Sequence, residues 1–188
     1  DGAVCRFDVS GYDTIGGAQA IGICGSGIVD TVAELLRLDR IDMTGFMEDD
    51  FTVVPSDQTA AHGAIVFTPA DVREVQLASA AIYAGLRILT NEAGVALDSV
   101  AKLYVAGGFG NYLRPESAVA IGMLPASLQQ RIVALGNSAG SGARLALRST
   151  AFADTVCATA RDATYIELSM RPDFNEEYVL SMNLEARG

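Results

Sequence analysis

The chain has 188 residues, half of them apolar, with a formal net charge of −10 and an isoelectric point of about 4.4. That length and apolar content suit a folded domain with its own core and exclude a disordered chain. The negative charge disfavours nucleic acids and anionic membrane surfaces, because both present phosphate groups that it repels. We therefore expect one domain over residues 1–188, with neither a nucleic-acid nor a membrane partner.

The sequence also lacks the marks of an exported or membrane-spanning protein. No apolar run approaches the roughly 20 residues that a membrane span needs, and no basic-then-apolar signal opens the chain, so we expect a cytoplasmic location. The cysteines Cys5, Cys24 and Cys157 are odd in number and widely spaced, and His62 is the only histidine. These residues predict buried, reduced thiols and neither a disulfide framework nor a metal or iron–sulfur site within this chain.

Hydrophobic spacing predicts the elements of the first third of the chain. Residues 1–23 are predicted to be extended and are punctuated by glycines. A first helix over residues 26–38 places apolar residues at helical spacing. Residues 42–67 form a loop-rich excursion in which 51–54 and 64–67 are short strand candidates.

A long helix over residues 69–93 has clear start and stop signals. Thr68 can cap its N-terminus, Pro69 suits the first turn and Asp71 can complete a capping box. Gly94 is the natural stop. Small residues along this helix allow close packing, so we interpret it as core packing or as a contact face for another lobe or a second subunit.

The remaining chain alternates strands, glycine-rich turns and helices. This alternation predicts an α/β fold with a mixed sheet and flanking helices. The predicted elements are strands over 103–106, 132–135 and 165–168, helices over 115–121 and 151–160, a helix that follows Gly142, and an amphipathic terminal helix over 173–182 that presents Phe174, Tyr178, Val179 and Met182 on one side.

Three glycine-rich turns, at residues 22–27, 107–110 and 136–142, each precede a predicted helix. Such turns aim backbone N–H groups at a ligand beyond the carboxyl ends of the strands and let a phosphate or nucleoside approach closely. The alternative is that they are tight turns needed only for packing. None has the Walker A pattern or the dinucleotide-binding fingerprint.

The acidic residues give no catalytic constellation, and we predict no catalytic residue. His62 and the acidic runs at 48–50 and 176–177 read as solvated surface. Asp30 and Glu34 share one helix face, which we interpret as polar surface, with a position facing a nucleotide's metal as the alternative.

The glycine-rich turns and their flanking residues closely resemble the reductive activators of corrinoid-dependent proteins. The resemblance runs in register over nearly the whole chain. It rests on residues 22–30, 103–113, 115–118, 121–125, 136–140, 165–169 and 173–178. These activators are similar to the acetate and sugar kinase, heat-shock chaperone and actin superfamily, so the resemblance implies a partial actin-like, ribonuclease H-like lobe.

The resemblance also implies a function. The family uses ATP with Mg²⁺ to reduce an inactive Co(II) corrinoid to the active Co(I) state for methyl transfer, with a corrinoid protein or corrinoid-dependent methyltransferase as partner. Its electron comes from a [2Fe–2S] cluster in a ferredoxin-like N-terminal region. The residues that the resemblance assigns to the nucleotide are Gly25, Ser26, Gly27, Gly107, Gly108, Phe109, Gly110, Gly136 and Asn137.

This chain departs from the family pattern in two respects. The superfamily's D-x-G-T or D-x-G-G phosphate loops do not occur in it, and the ferredoxin cysteines are missing. We therefore expect a ferredoxin-like region and the phosphate loops upstream of Asp1, and a chain that by itself binds nucleotide weakly and is inactive. The alternative is a non-catalytic module for homodimerisation or for docking a corrinoid protein.

Overall fold

The computed structural model describes the backbone of residues 1–188 and every side chain except that of Phe109. The described strands are β1 (Ala3–Asp8), β2 (Gly11–Thr14), β3 (Gly22–Ile23), β4 (Phe51–Val54), β5 (Ile65–Phe67), β6 (Leu103–Ala106) and β7 (Ile132–Gly136). The α-helices are α1 (Gly25–Arg37), α2 (Pro69–Glu92), α3 (Pro115–Ala120), α4 (Ser138–Arg148), α5 (Thr150–Asp162) and α6 (Pro172–Leu180). Within the described residues, no helix has the length and apolar character that a membrane crossing requires.

The strands form three small sheets. In the first, β1 is central, with β2 antiparallel on one edge and β3 parallel on the other. In the second, β4 and β5 form an antiparallel pair inside the predicted excursion 42–67. In the third, β6 and β7 are parallel, with Leu103 opposite Ile132. The predicted α/β class with mixed pairing is confirmed.

Helix α1 packs directly on β1, and this contact is the centre of the core. Val4, Val32 and Leu35 are fully buried there. A Cβ atom at Gly27 would lie 2.2 Å from the Val4 carbonyl oxygen, so only glycine allows the helix to come this close to the strand. The same oxygen accepts the Cys24 N–H at 2.9 Å. The first turn of α1 is therefore fixed against the strand.

Helix α2 begins with the predicted capping box. The Asp71 N–H donates to Thr68 Oγ1 at 3.3 Å, and the Thr68 N–H donates to Asp71 Oδ2 at 2.8 Å. Pro69 occupies the first turn, and Gly94, with φ of 64°, follows the helix end. Helix α6 packs against α2. The start and stop signals of the long helix are confirmed.

The β6–β7 pair and the two helices after it present apolar residues to the surface. No described residue of β7, α4 or α5 is buried. Leu147 is 89% exposed. The other large exposed apolar residues described in these elements are Tyr104, Leu135, Leu145 and Val156. A two-stranded sheet is at best marginally stable by itself. We therefore expect the elements from β6 to α5 to be less stable than the α1–β1 core.

Two predictions for the C-terminal region are wrong. Residues 165–168 do not form a strand, because the Glu167 carboxylate accepts hydrogen bonds from neighbouring residues and stabilises a local turn instead. The Tyr165 hydroxyl donates to Glu167 Oε2 at 2.6 Å, and the Ser169 N–H donates to Glu167 Oε1 at 3.1 Å. In α6, Val179 is 67% exposed, whereas Phe174 and Tyr178 are half-buried, so Val179 does not lie on the same side as these two residues.

Candidate functional site

Two of the three glycine-rich turns meet at one sheet edge. Strands β6 and β7 are parallel, so their carboxyl ends lie side by side. Gly107, directly after β6, donates its N–H to the carbonyl oxygen of Gly136 at 2.7 Å. Both glycines adopt positive φ, 94° and 61° respectively, which other residues rarely adopt. The two turns therefore form one continuous backbone surface, which we call the paired turns (residues 107–110 and 136–137).

The glycines of the first paired turn serve different purposes. Apart from the adjoining residues of the chain, no described atom lies within 4 Å of a Cβ built at Gly107 or at Gly108, so the space above both is open. At Gly110 the same Cβ would lie 2.7 Å from the Val105 carbonyl oxygen, so this glycine serves packing. The predicted contact from the Phe109 side chain lies outside the described residues. Gly107 and Gly108 are thus the positions where a ligand could touch the backbone.

Helix α4 begins at Ser138, directly after the second paired turn, so the prediction that this helix follows Gly142 is wrong. Asn137 caps it, because its Oδ1 accepts the Gly140 N–H at 2.9 Å. The side-chain oxygen of Asn137 is therefore taken up by the helix. The first N–H groups of a helix have no intrahelical acceptor, and together with the helix dipole they favour an anionic or polar group. Asn137 contributes to the site by orienting this helix end.

Asn111 belongs to the site, although the sequence analysis did not single it out. Its Oδ1 would lie 2.6 Å from a Cβ at Gly136, so it lies directly against the second paired turn. Its backbone N–H donates to the Gly108 carbonyl oxygen at 3.3 Å. A polar residue immediately after a glycine turn was the available signal.

The third glycine-rich turn, at the start of α1, is placed in packing. Ser26 is buried, and its Oγ donates to the Cys5 carbonyl oxygen at 3.0 Å. Gly27 is enclosed against β1, as described above. Gly25 is exposed and lines a groove of about 290 Å³ between α1 and α2, together with apolar residues such as Ile28 and Ile82. Ser26 and Gly27 thus serve packing against β1, while α1 as a whole lies near residues 109–111, at the end of the first paired turn.

Asp30 and Glu34 are not solvated surface, so that interpretation is wrong. Asp30 is fully buried and accepts from Arg114 Nε at 2.9 Å. Glu34 is nearly buried; it accepts from Arg37 and from the Val9 N–H at 3.1 Å. The hydrogen bond from Arg37 lowers the pKa of Glu34, and the Val9 N–H adds to this effect.

The alternative position for Asp30, facing a nucleotide's metal, is not supported either. Its carboxylate is taken up by Arg114 and by the Phe7 N–H. Among the described residues, no group of three or more His, Cys, Asp or Glu side chains converges as metal ligands. The Asp30 carboxylate is therefore not available as a ligand for Mg²⁺.

The cysteines differ in environment. Cys5 is buried, and burial raises the pKa of its thiol, with nearby Cys24 adding to the shift. Cys157 is exposed and Cys24 is only half-buried, so the prediction of buried thiols holds for Cys5 alone. Cys157 lies on α5, none of whose described residues is buried. His62 is exposed in the loop excursion, where it was predicted.

Comparisons with known proteins assign this fold to a family. Residues 2–188 match the family described as the C-terminal domain of RACo, the ASKHA domain. The chain is 35% identical to the corrinoid activation enzyme RamQ of Eubacterium limosum, covering 90% of this chain and 32% of that protein. It is 27% identical to the [Co(II) methylated amine-specific corrinoid protein] reductase of Methanosarcina barkeri, covering 92% of this chain and 31% of that protein.

Comparison with a solved structure supports the same family assignment. The chain superposes on a reductive activator for corrinoid, iron–sulfur protein with a TM-score of 0.90 and 33% identity, covering 98% of this chain and 32% of the other. The chain thus spans about a third of the length of each of these relatives. It belongs to the RACo C-terminal family, the ASKHA domain of reductive activators of corrinoid proteins.

Proposed function

We propose that this chain is the part of an ATP-dependent reductive activator that holds the adenosine of ATP. The observation that carries the proposal is the pair of glycine turns at the carboxyl ends of β6 and β7, joined by the Gly107–Gly136 hydrogen bond. Gly107 and Gly108 leave open space for a nucleoside to lie against the backbone. The N-terminus of α4, next to them, favours polar or anionic groups of the ligand.

In this proposal the whole protein reduces a Co(II) corrinoid to Co(I) by transfer of one electron. The electron comes from a [2Fe–2S] cluster in a ferredoxin-like region outside residues 1–188, as the family resemblance implies. The acceptor is a corrinoid protein or a corrinoid-dependent methyltransferase. ATP, bound with Mg²⁺, supplies the free energy by favouring one conformation of the whole protein over another. This chain contributes binding and orientation, not the redox centre.

Calorimetry with Mg–ATP tests the proposal on the chain and on the full gene product that carries it. We expect the full product to bind and the chain alone to bind weakly. Replacing Gly108 by valine should weaken binding at least about tenfold, because the side chain fills the space of the nucleoside. Gly63→Val is the matched control, since Gly63 is also a loop glycine with open space around it. If the full product binds no nucleotide, the proposal is wrong.

A second candidate function is a surface for dimerisation or for docking the corrinoid protein. Helices α2 and α6 pack together, and apolar residues on both remain exposed. Ile82 and Leu89 of α2 are 41% and 47% exposed, and Val179 and Leu180 of α6 are 67% and 69% exposed. Exposed apolar residues on neighbouring helices are typical of interaction surfaces.

Sedimentation velocity separates this second function from the first. If the wild type is a dimer, the Leu89→Glu variant should be a monomer and the Glu48→Lys variant, with a charge change elsewhere, should remain a dimer. This result would support a dimer surface. A monomer at all concentrations, whose binding to a purified corrinoid protein is also unaffected by Leu89→Glu, would exclude it.

A further inference from the structure

Arg114 connects the first paired turn to the α1–β1 core. It lies at the start of α3, four residues after Gly110. Its Nε donates to Asp30 Oδ1 and its Nη2 to the Phe7 carbonyl oxygen, both at 2.9 Å. The Asp30 side chain is fully buried, whereas that of Arg114 is 34% exposed.

These contacts complete an open strand edge. The β3 strand pairs only with Ala3 and Val4, so β1 has no strand neighbour on that edge at Phe7. There, Arg114 donates to the Phe7 carbonyl oxygen and Asp30 Oδ2 accepts the Phe7 N–H at 3.4 Å. The two side chains thus stand in for a neighbouring strand. We call this arrangement the Arg114 tether (Arg114, Asp30 and the Phe7 backbone).

The tether holds one end of a segment whose other end is also held. Gly107 is fixed to Gly136 by a hydrogen bond, and Arg114 is fixed to α1 and β1. Between them, Asn111 lies against Gly136. A buried carboxylate is costly to leave without its cation, so the contact to Asp30 stays closed in the folded protein. The backbone between Gly107 and Arg114 is therefore held at both ends.

We propose that Arg114 is a positioning residue for the nucleotide: it orders the 107–111 turn so that Gly107 and Gly108 stay open for the adenosine. The inference rests on the proposed function. A turn that is already ordered loses less conformational entropy on binding, and so it binds more tightly. Without the tether, we expect nucleotide affinity to fall about tenfold, through ordering of the turn and not through a lost ligand contact.

Three variants of the full gene product separate positioning from plain stability. Arg114→Met removes the cation and leaves the buried Asp30 charge unpaired, so both Tm and Mg–ATP affinity should fall. Adding Asp30→Asn to Arg114→Met removes that charge. The double variant should recover most of the lost Tm but keep the weakened affinity, because the tether is still absent. Arg114→Lys keeps the charge without the two-pronged geometry, and should fall between the wild type and Arg114→Met in affinity.

Hydrogen exchange of residues 107–113 in the nucleotide-free protein gives a second readout. We expect faster exchange in the double variant than in the wild type. If the double variant binds Mg–ATP as tightly as the wild type, Arg114 is only structural and the inference is wrong while the proposed function stands. If the wild type itself binds no nucleotide, both are wrong. If Arg114→Met does not fold, the double variant and Arg114→Lys still decide the question.

Discussion

One methyl group can test the contact between α1 and β1. Gly27→Ala would place a Cβ 2.2 Å from the Val4 carbonyl oxygen. Since weak C···O contacts lie at about 3.3 Å, α1 must move by about 1 Å. Such overpacking costs about 1–3 kcal/mol, and weakening the Cys24–Val4 hydrogen bond costs about 1 kcal/mol. The better helix propensity of alanine offsets about 1 kcal/mol of this loss of stability. We therefore expect Gly27→Ala to lower the free energy of unfolding by about 1–3 kcal/mol.

Urea denaturation followed by circular dichroism measures this change. Gly85→Ala is the matched control, because Gly85 is also helical and buried in the core. Its added Cβ would meet only Leu168 Cδ1, at an ordinary 3.7 Å. This variant should gain up to about 1 kcal/mol from helix propensity alone. If Gly27→Ala is as stable as Gly85→Ala, the close approach of α1 to β1 is wrong, and so is the packing role assigned to Gly27.

Three further predictions follow from burial and charge. Cys157 should react with a thiol reagent before Cys24 and well before Cys5, because burial limits access to the Cys5 thiol and raises its pKa. Peptide mass spectrometry measures the order of labelling, and equal rates at the three cysteines would contradict this prediction. The pKa of Glu34 is lowered by Arg37, so its contribution to stability is fully present above the ordinary value of 4.5 and is lost as the pH falls below it. Urea titrations at several pH values should therefore show the stability gap between wild type and Glu34→Gln narrowing in acid, whereas a constant gap would refute this sign. Backbone amides of α4 and α5 should exchange hydrogen faster than those of α1, because none of their described residues is buried; equal protection would mean that these helices are held by contacts other than side-chain burial.

The elements whose signals are local were predictable from the sequence. The capping box of α2 lies within four residues, and the apolar spacing of α1 within three turns, so each determines its own structure. The strand predicted at 165–168 failed for a local reason too, because Glu167 offers an acceptor that competes with a strand ladder. Apolar content alone did not reveal that competition.

The environment of Asp30 was not predictable from local sequence. Two carboxylates spaced four residues apart on a helix usually indicate a solvated face. Asp30 is buried because its partner Arg114 lies 84 residues further along the chain. A pairing over that separation depends on the tertiary fold, which brings the segment after the first paired turn back to α1. Charged residues are almost never fully buried without such a partner. The burial of Asp30 therefore indicates a contact with a distant residue of opposite charge.

The glycines show why the site was only partly predictable. Gly27 and Gly110 are required because a carbonyl oxygen lies where a Cβ would be, and Gly107 is required by its positive φ. Sequence spacing does not distinguish these cases, since the crowding atom is set by the fold. Gly108 has neither a positive φ nor a described neighbour within 4 Å of a Cβ. Nothing in the described fold therefore requires glycine there, whereas a nucleoside lying against the backbone would. For this reason Gly108 is the position that tests the proposed nucleotide site.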